Sequence, residues 1–161
     1  MAAATPPSQS FLTIIHRFVT EAHNGTLARC VGRVRSGWVA LGDPQILPGY
    51  CLLYPDPVVP DLHDLMPPER AQFLADLGLL GEAVFQLTQA RRINYEMLGN
   101  VEPALHAHVI PRYESEPAHL RSRPIWSYDW DAAPRYDAQR DQPFRDALHR
   151  KLQSLGAIAI P

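Results

Sequence analysis

The sequence predicts an α+β domain: an antiparallel sheet of about five strands, one long helix between strands 3 and 4, and a helix near each end. Three observations carry this. Short, turn-bounded segments of strand character follow one another before residue 55 with no helix between them, which favours antiparallel pairing. One sustained helical periodicity then runs over 68–90. Two more strand-like segments come after it, so strands and helices do not alternate as βαβ units would.

Each element has a local reason. Ser8 or Ser10 can cap a helix over about 10–23, whose Phe11, Ile14, Ile15, Phe18 and Ala22 form one stripe and which Asn24-Gly25 ends. Residues 28–34, Trp38–Leu41 and Tyr50–Tyr54 are the first three strands, separated by Ser36-Gly37, by Gly42-Asp43-Pro44 and by Pro48-Gly49. Pro67-Pro68-Glu69 opens the long helix, with proline suited to the first turn and Glu to its positive end. Phe73, Leu74, Leu77, Leu80, Val84 and Leu87 give that helix a wide apolar face, and Gly78 and Gly81 point to close packing on the sheet. Strands over 92–98 and 104–111 follow, joined through Gly99-Asn100-Val101-Glu102-Pro103. A tail from Tyr113, rich in Arg, Asp, Pro, Trp and Tyr, leads to a helix over 141–154 with Phe144, Leu148 and Leu152 at helical spacing.

Length and composition bound the rest. At 161 residues, with 46% hydrophobic and 20% charged, the chain reads as a single domain over 1–161, core about 28–113, able to fold without a metal or disulfide staple. A net charge of −2 gives no general reason to bind a nucleic acid polymer or an acidic membrane. Cys30 and Cys51 have no zinc-ligand spacing and read as reduced thiols of a cytoplasmic protein. No apolar run is long enough to span a membrane, and MAAATPPSQS lacks the basic and apolar regions of a signal peptide.

The informative stretch is Ala104-Leu105-His106-Ala107-His108-Val109-Ile110-Pro111-Arg112. On a strand His106, His108 and Ile110 share one face, while Leu105, Ala107 and Val109 face a packed layer. Two imidazoles about 7 Å apart can be a partial metal site, a phosphate-directed catalytic pair or incidental surface residues. The other histidines, His16, His23, His63, His119 and His149, are scattered, and no third ligand sits nearby in the sequence.

This stretch resembles the signature of the histidine triad (HIT) superfamily, His-x-His-x-His-x-x with apolar x, commonly followed by Pro-Arg. Leu47-Pro48-Gly49-Tyr50-Cys51-Leu52-Leu53-Tyr54-Pro55 looks like the family's Pro-Gly-His, apolar strand, proline segment, and Leu62-His63-Asp64-Leu65 with the 68–90 helix falls in the expected order. The resemblance covers about 28–113 and implies a HIT-like fold. It departs at two places: Ala104 stands where the first motif histidine falls, and Tyr50 where many members carry the histidine after Pro-Gly. With Ala104 there, another group must orient His106, a backbone carbonyl or a water being the available kinds.

The resemblance implies a nucleotide hydrolase or nucleotidyltransferase acting on a dinucleoside polyphosphate or a nucleoside phosphoramidate. His106 is the implied nucleophile at the α-phosphorus, and His108 the hydrogen-bond partner of the phosphate. Asn94 and Asn100 lie upstream, where the family places amide or hydroxyl groups near phosphate, and either could be the match. Asp43 lies where it places a group on the ribose hydroxyls; turn roles are the plainer readings of Asn100 and Asp43. Trp126, Tyr128 and Trp130 either stack on a base or dimer mate or pack on their own domain. No cofactor is implied beyond Mg²⁺ carried by the substrate phosphates, no metal site is expected, and the family pattern implies a homodimer. A nucleotide-binding protein weakened by Ala104 is the alternative.

Overall fold

The computed structural model describes residues 12–159. Three helices and five strands follow in the order α1 (Ile14–His23), β1 (Cys30–Val34), β2 (Gly37–Leu41), β3 (Cys51–Pro55), α2 (Pro67–Leu87), β4 (Arg92–Glu96), β5 (Ala107–Arg112) and α3 (Ala138–Ser154). Single 3-10 turns cover Leu62–Asp64 and Ile125–Ser127. The strands form one sheet in the order β1-β2-β3-β5-β4, antiparallel throughout. This is the α+β layout the sequence predicts, with the long helix between β3 and β4.

Element boundaries differ in instructive ways. Ser8, Ser10 and Phe11 lie outside the described residues; α1 begins behind Thr13, whose backbone N–H donates to His16 Nδ1 at 3.2 Å. The C-terminal helix starts at Ala138 because the Asp137 carboxylate accepts from the Arg140 N–H, and it runs through Pro143. Strands β4 and β5 are shorter than their apolar patterns. Leu105 N donates to the Val59 carbonyl, outside the sheet, so β5 joins its neighbours only from Ala107. His106 therefore stands just before the strand.

Both faces of the sheet are covered. Phe73, Leu77, Leu80 and Val84 of α2 and Leu148 and Leu152 of α3 pack on one face with Val39, Leu41, Leu53, Ala107 and Val109. Ile15, Val19 and Ala22 of α1 pack on the other face with Ala40, Leu52, Tyr54, Ile110 and Ile125. Gly81 does permit close packing, since a Cβ there would meet the Tyr95 hydroxyl at 1.9 Å, but Gly78 faces open space. Cys51 is fully buried and Cys30 half-buried; both are free, and burial pushes both thiols up. Among the described residues no helix is long and apolar enough to cross a membrane.

Candidate active site

His108 sits opposite Leu52 of β3 and Glu96 of β4, so its side chain belongs to the face that α1 covers. His106 precedes it by two residues and shares that face. The rings lean together edge to face, with centroids 4.8 Å apart, closer than the backbone spacing. They are only 8% and 6% exposed, so this is an enclosed pair and not a surface one.

Hydrogen bonds define the state of His106. Its Nδ1 lies 2.7 Å from the Ala104 carbonyl oxygen. A carbonyl only accepts, so Nδ1 carries the proton and Nε2 keeps its lone pair. The backbone of Ala104 thus orients the ring. Tyr50 Oη lies 2.7 Å from His108 Nδ1. Burial, reinforced by the neighbouring His106, pushes His108 down to about 4 from the ordinary 6.5, so its ring is neutral at neutral pH. Burial also raises Tyr50, which keeps its proton. Among the described residues neither Nε2 atom has a partner, and neither is among the buried polar atoms left without one. Both are open to a ligand. A cavity of ≈ 240 Å³ lined by Pro60, Asp61, Met97, Leu98 and Ala104 adjoins His106.

The connection before Tyr50 is built tightly. Gly49 takes φ 87°, a left-handed conformation that favours glycine. Gln45 donates from its amide to the Gly42 and Tyr50 carbonyls and accepts from the Gly49 N–H. These bonds fix where the Tyr50 ring enters the sheet face.

The segment 113–137 crosses the same face. Trp126 meets His108 edge-on at 5.3 Å, Trp130 meets Tyr50 edge-on at 5.9 Å, and the two indoles stack at 4.9 Å. Trp126 Nε1 donates to Glu96, the residue opposite His108. Arg112 holds the segment in place. Its guanidinium donates to both Glu116 oxygens, to Asn94 Oδ1 and to the carbonyls of Leu120, Arg121 and Arg123. Tyr128 donates its hydroxyl to Glu116 as well. The tail aromatics thus pack on their own chain.

The residues singled out in the sequence do not all converge. His106 and His108 meet. Asn94 shares their face, opposite Ile110, but its amide oxygen is taken by Arg112 at 3.0 Å. Asp43 accepts from the Tyr136 N–H at 2.9 Å and pairs with Arg135 Nε at 3.3 Å, so its carboxylate fastens the tail. Asn100 is exposed in the loop between β4 and β5. Glu96 was not foreseen; the register that sets it opposite His108 was not legible before the strands were paired. The scattered histidines stay apart from the pair: His23 bonds Asp56, and His149 contacts the Val31 carbonyl. Among the described residues one group, Asp61, His63 and Asp64, has ligand atoms within 4.8 Å of one another, all on exposed side chains.

Comparison with known proteins agrees with this fold. Residues 39–115 match the family model of the HIT domain. A histidine triad protein from Bradyrhizobium japonicum superposes with a TM-score of 0.68 at 28% identity, over 76% of this chain and 88% of that one. One from Marinobacter aquaeolei gives 0.69 at 24%, over 83% and 96%. A zinc-bound histidine triad family protein from Mycobacterium smegmatis gives 0.64 at 18%, over 86% and 96%. No curated protein matches the chain. Residues 39–115 are thus similar to a HIT domain, and the segment that brings Trp126 and Trp130 to the histidines lies almost wholly beyond the matched residues.

Proposed function

We propose that this HIT domain is a nucleotide hydrolase or nucleotidyltransferase that attacks an α-phosphate through His106, with a dinucleoside polyphosphate or a nucleoside phosphoramidate as substrate. The observation that carries the reading is the bond from His106 Nδ1–H to the Ala104 carbonyl, which leaves Nε2 as an accessible nucleophile. The Nε2 lone pair forms a bond to the α-phosphorus, and the P–O or P–N bond to the leaving group breaks with its electron pair. A polyphosphate departs as an anion; an amine takes its proton from solvent. Water, or another acceptor, then attacks the nucleotidyl-histidine, the P–N bond breaks, and Nε2 is restored. Hydrolase and transferase share the first step and differ only in that acceptor. Hydrogen bonding from His108 offsets charge on the phosphoryl oxygens as the new bond forms. Mg²⁺ enters only with the substrate phosphates.

We extend the proposal to a cytoplasmic homodimer. Strand β4 is one of the two sheet edges, and half-exposed Tyr95, Met97 and Leu98 lie along and just beyond it. Pairing of two such edges would cover them. The binding-only alternative draws on Ala104 and on the near-burial of both rings.

The deciding experiment is single-turnover mass spectrometry with diadenosine tetraphosphate and an adenosine phosphoramidate, comparing wild type with His106→Asn. Wild type is expected to release product through an adenylyl adduct on His106, both lost in the variant. Nucleotide binding without product or adduct in either protein would instead favour the binding-only reading.

A further inference from the structure

Tyr50 stands where the family pattern has a histidine, and its surroundings are shaped to it. It is 3% exposed, and a Cβ on Gly42 would meet its ring at 2.0 Å, so the glycine makes room for the larger side chain. Its ring lies parallel to that of His108, with 6° between the planes, and Trp130 closes on it edge-on.

The direction of the bond between them follows from counting partners. Among the described residues Tyr50 Oη has one hydrogen-bond partner, His108 Nδ1. Were that nitrogen protonated, the hydroxyl would accept, and its own buried proton would have no acceptor, an arrangement that costs about 1–3 kcal/mol. With the hydroxyl donating, its buried proton is paired, and the free group of His108 is the Nε2–H that is open to a ligand.

We propose that Tyr50 is a positioning residue: its hydroxyl donates to His108 Nδ1, keeps that ring's proton on Nε2, and so holds His108 in the tautomer opposite to that of His106. The proposal rests on the nucleotidyl-transfer reading for its use, though not for its geometry. His106 receives its orientation from a carbonyl and presents a lone pair at Nε2; His108 receives its orientation from a hydroxyl and presents an N–H at Nε2. Two rings 4.8 Å apart thus offer one nucleophile and one hydrogen-bond donor. A neutral imidazole has two tautomers of similar energy, so an unheld His108 would spend part of its time with a lone pair at Nε2 facing the anionic phosphate. The groups facing His108 are His106 from its own segment, Tyr50 from the start of β3, Glu96 from β4 and Trp126 from the tail. Glu96 is engaged by the Trp126 indole, and Tyr50 remains the group that bonds the ring.

Long-range proton–nitrogen correlation spectra of the nitrogen-labelled full chain, recorded near neutral pH, test this directly. Wild-type His108 is expected as a single Nε2–H tautomer and His106 as Nδ1–H. In Tyr50→Phe, which keeps the ring, His108 is expected to lose its single tautomer while His106 is unchanged. An Nδ1–H His108 in wild type, or an unaltered His108 in the variant, would overturn the proposal. With the adenosine phosphoramidate, Tyr50→Phe is expected to lower kcat by about 10- to 100-fold, with KM held within about twofold. A wild-type kcat in the variant would refute the positioning role. Absence of turnover in wild type would sink the reaction proposed above, and the spectra alone would still decide which atom of His108 Tyr50 holds.

Discussion

His108 is a neutral ring held in a buried site, and that has a cost when the solution turns acidic. Its proton affinity is depressed in the folded chain, to about 4 from 6.5, so between those values the unfolded chain binds the proton and the folded one does not. Stability is therefore full above about pH 6.5 and falls as pH drops toward about 4, by ~3 kcal/mol from this group. Urea unfolding of wild type and His108→Gln over that range should show a shallower decline in the variant. Parallel declines would mean that His108 is solvated and able to charge in the folded state. Carboxylates held low by partners, Asp56, Glu116 and Asp141, add their own losses in both proteins and cancel in the comparison.

The tail segment has little regular structure, and a buried ion pair anchors its first part. Arg112 and Glu116 have side chains only 10% and 2% exposed, and the Tyr113 N–H, the Tyr128 hydroxyl and the Leu120, Arg121 and Arg123 carbonyls all bond to one of them. Removing one partner of such a pair leaves a buried charge uncompensated, at about 3–5 kcal/mol. Glu116→Ala should therefore lower unfolding free energy by that amount and loosen the tail. In a Trp38→Phe background, indole fluorescence from Trp126 and Trp130 should become more accessible to an aqueous quencher. Arg112→Met with Glu116→Met should regain much of the stability, because no charge is then stranded. A Glu116→Ala protein with wild-type melting and quenching would show that the aromatic contacts alone hold the tail.

The sheet of one chain ends in an unpaired strand, and β4 is short, with apolar side chains at and beyond its carboxyl end. Light scattering of wild type is expected to give about twice the chain mass. Met97→Asp with Leu98→Asp, which sets charges along that edge, should give a monomer of unchanged far-ultraviolet dichroism. A monomeric wild type would remove the homodimer from the proposal. The cavity beside His106 includes Met97 and Leu98, so the same variant should also weaken nucleotide binding if the site and the edge are coupled.

How much of this was legible beforehand depends on the range of the cause. Strand order along the chain, the long helix and the alternation that turns His106 and His108 to one face arise from neighbours a few residues apart, and the sequence carries them openly. The two replacements of histidine that the resemblance implies, Ala104 and Tyr50, are likewise visible in the letters. What those replacements do is not, because hydrogen bonds are decided by groups far apart in the chain. The Tyr50 hydroxyl reaches His108 across 58 positions, and Asp43 turns to Tyr136 across 93. The late start of β5 has the same origin, since a bond from Leu105 to Val59 outcompetes strand propensity there. Local pattern therefore announced a pair of histidines on a sheet face; the assembled fold chose which group holds the Nδ1 of each ring.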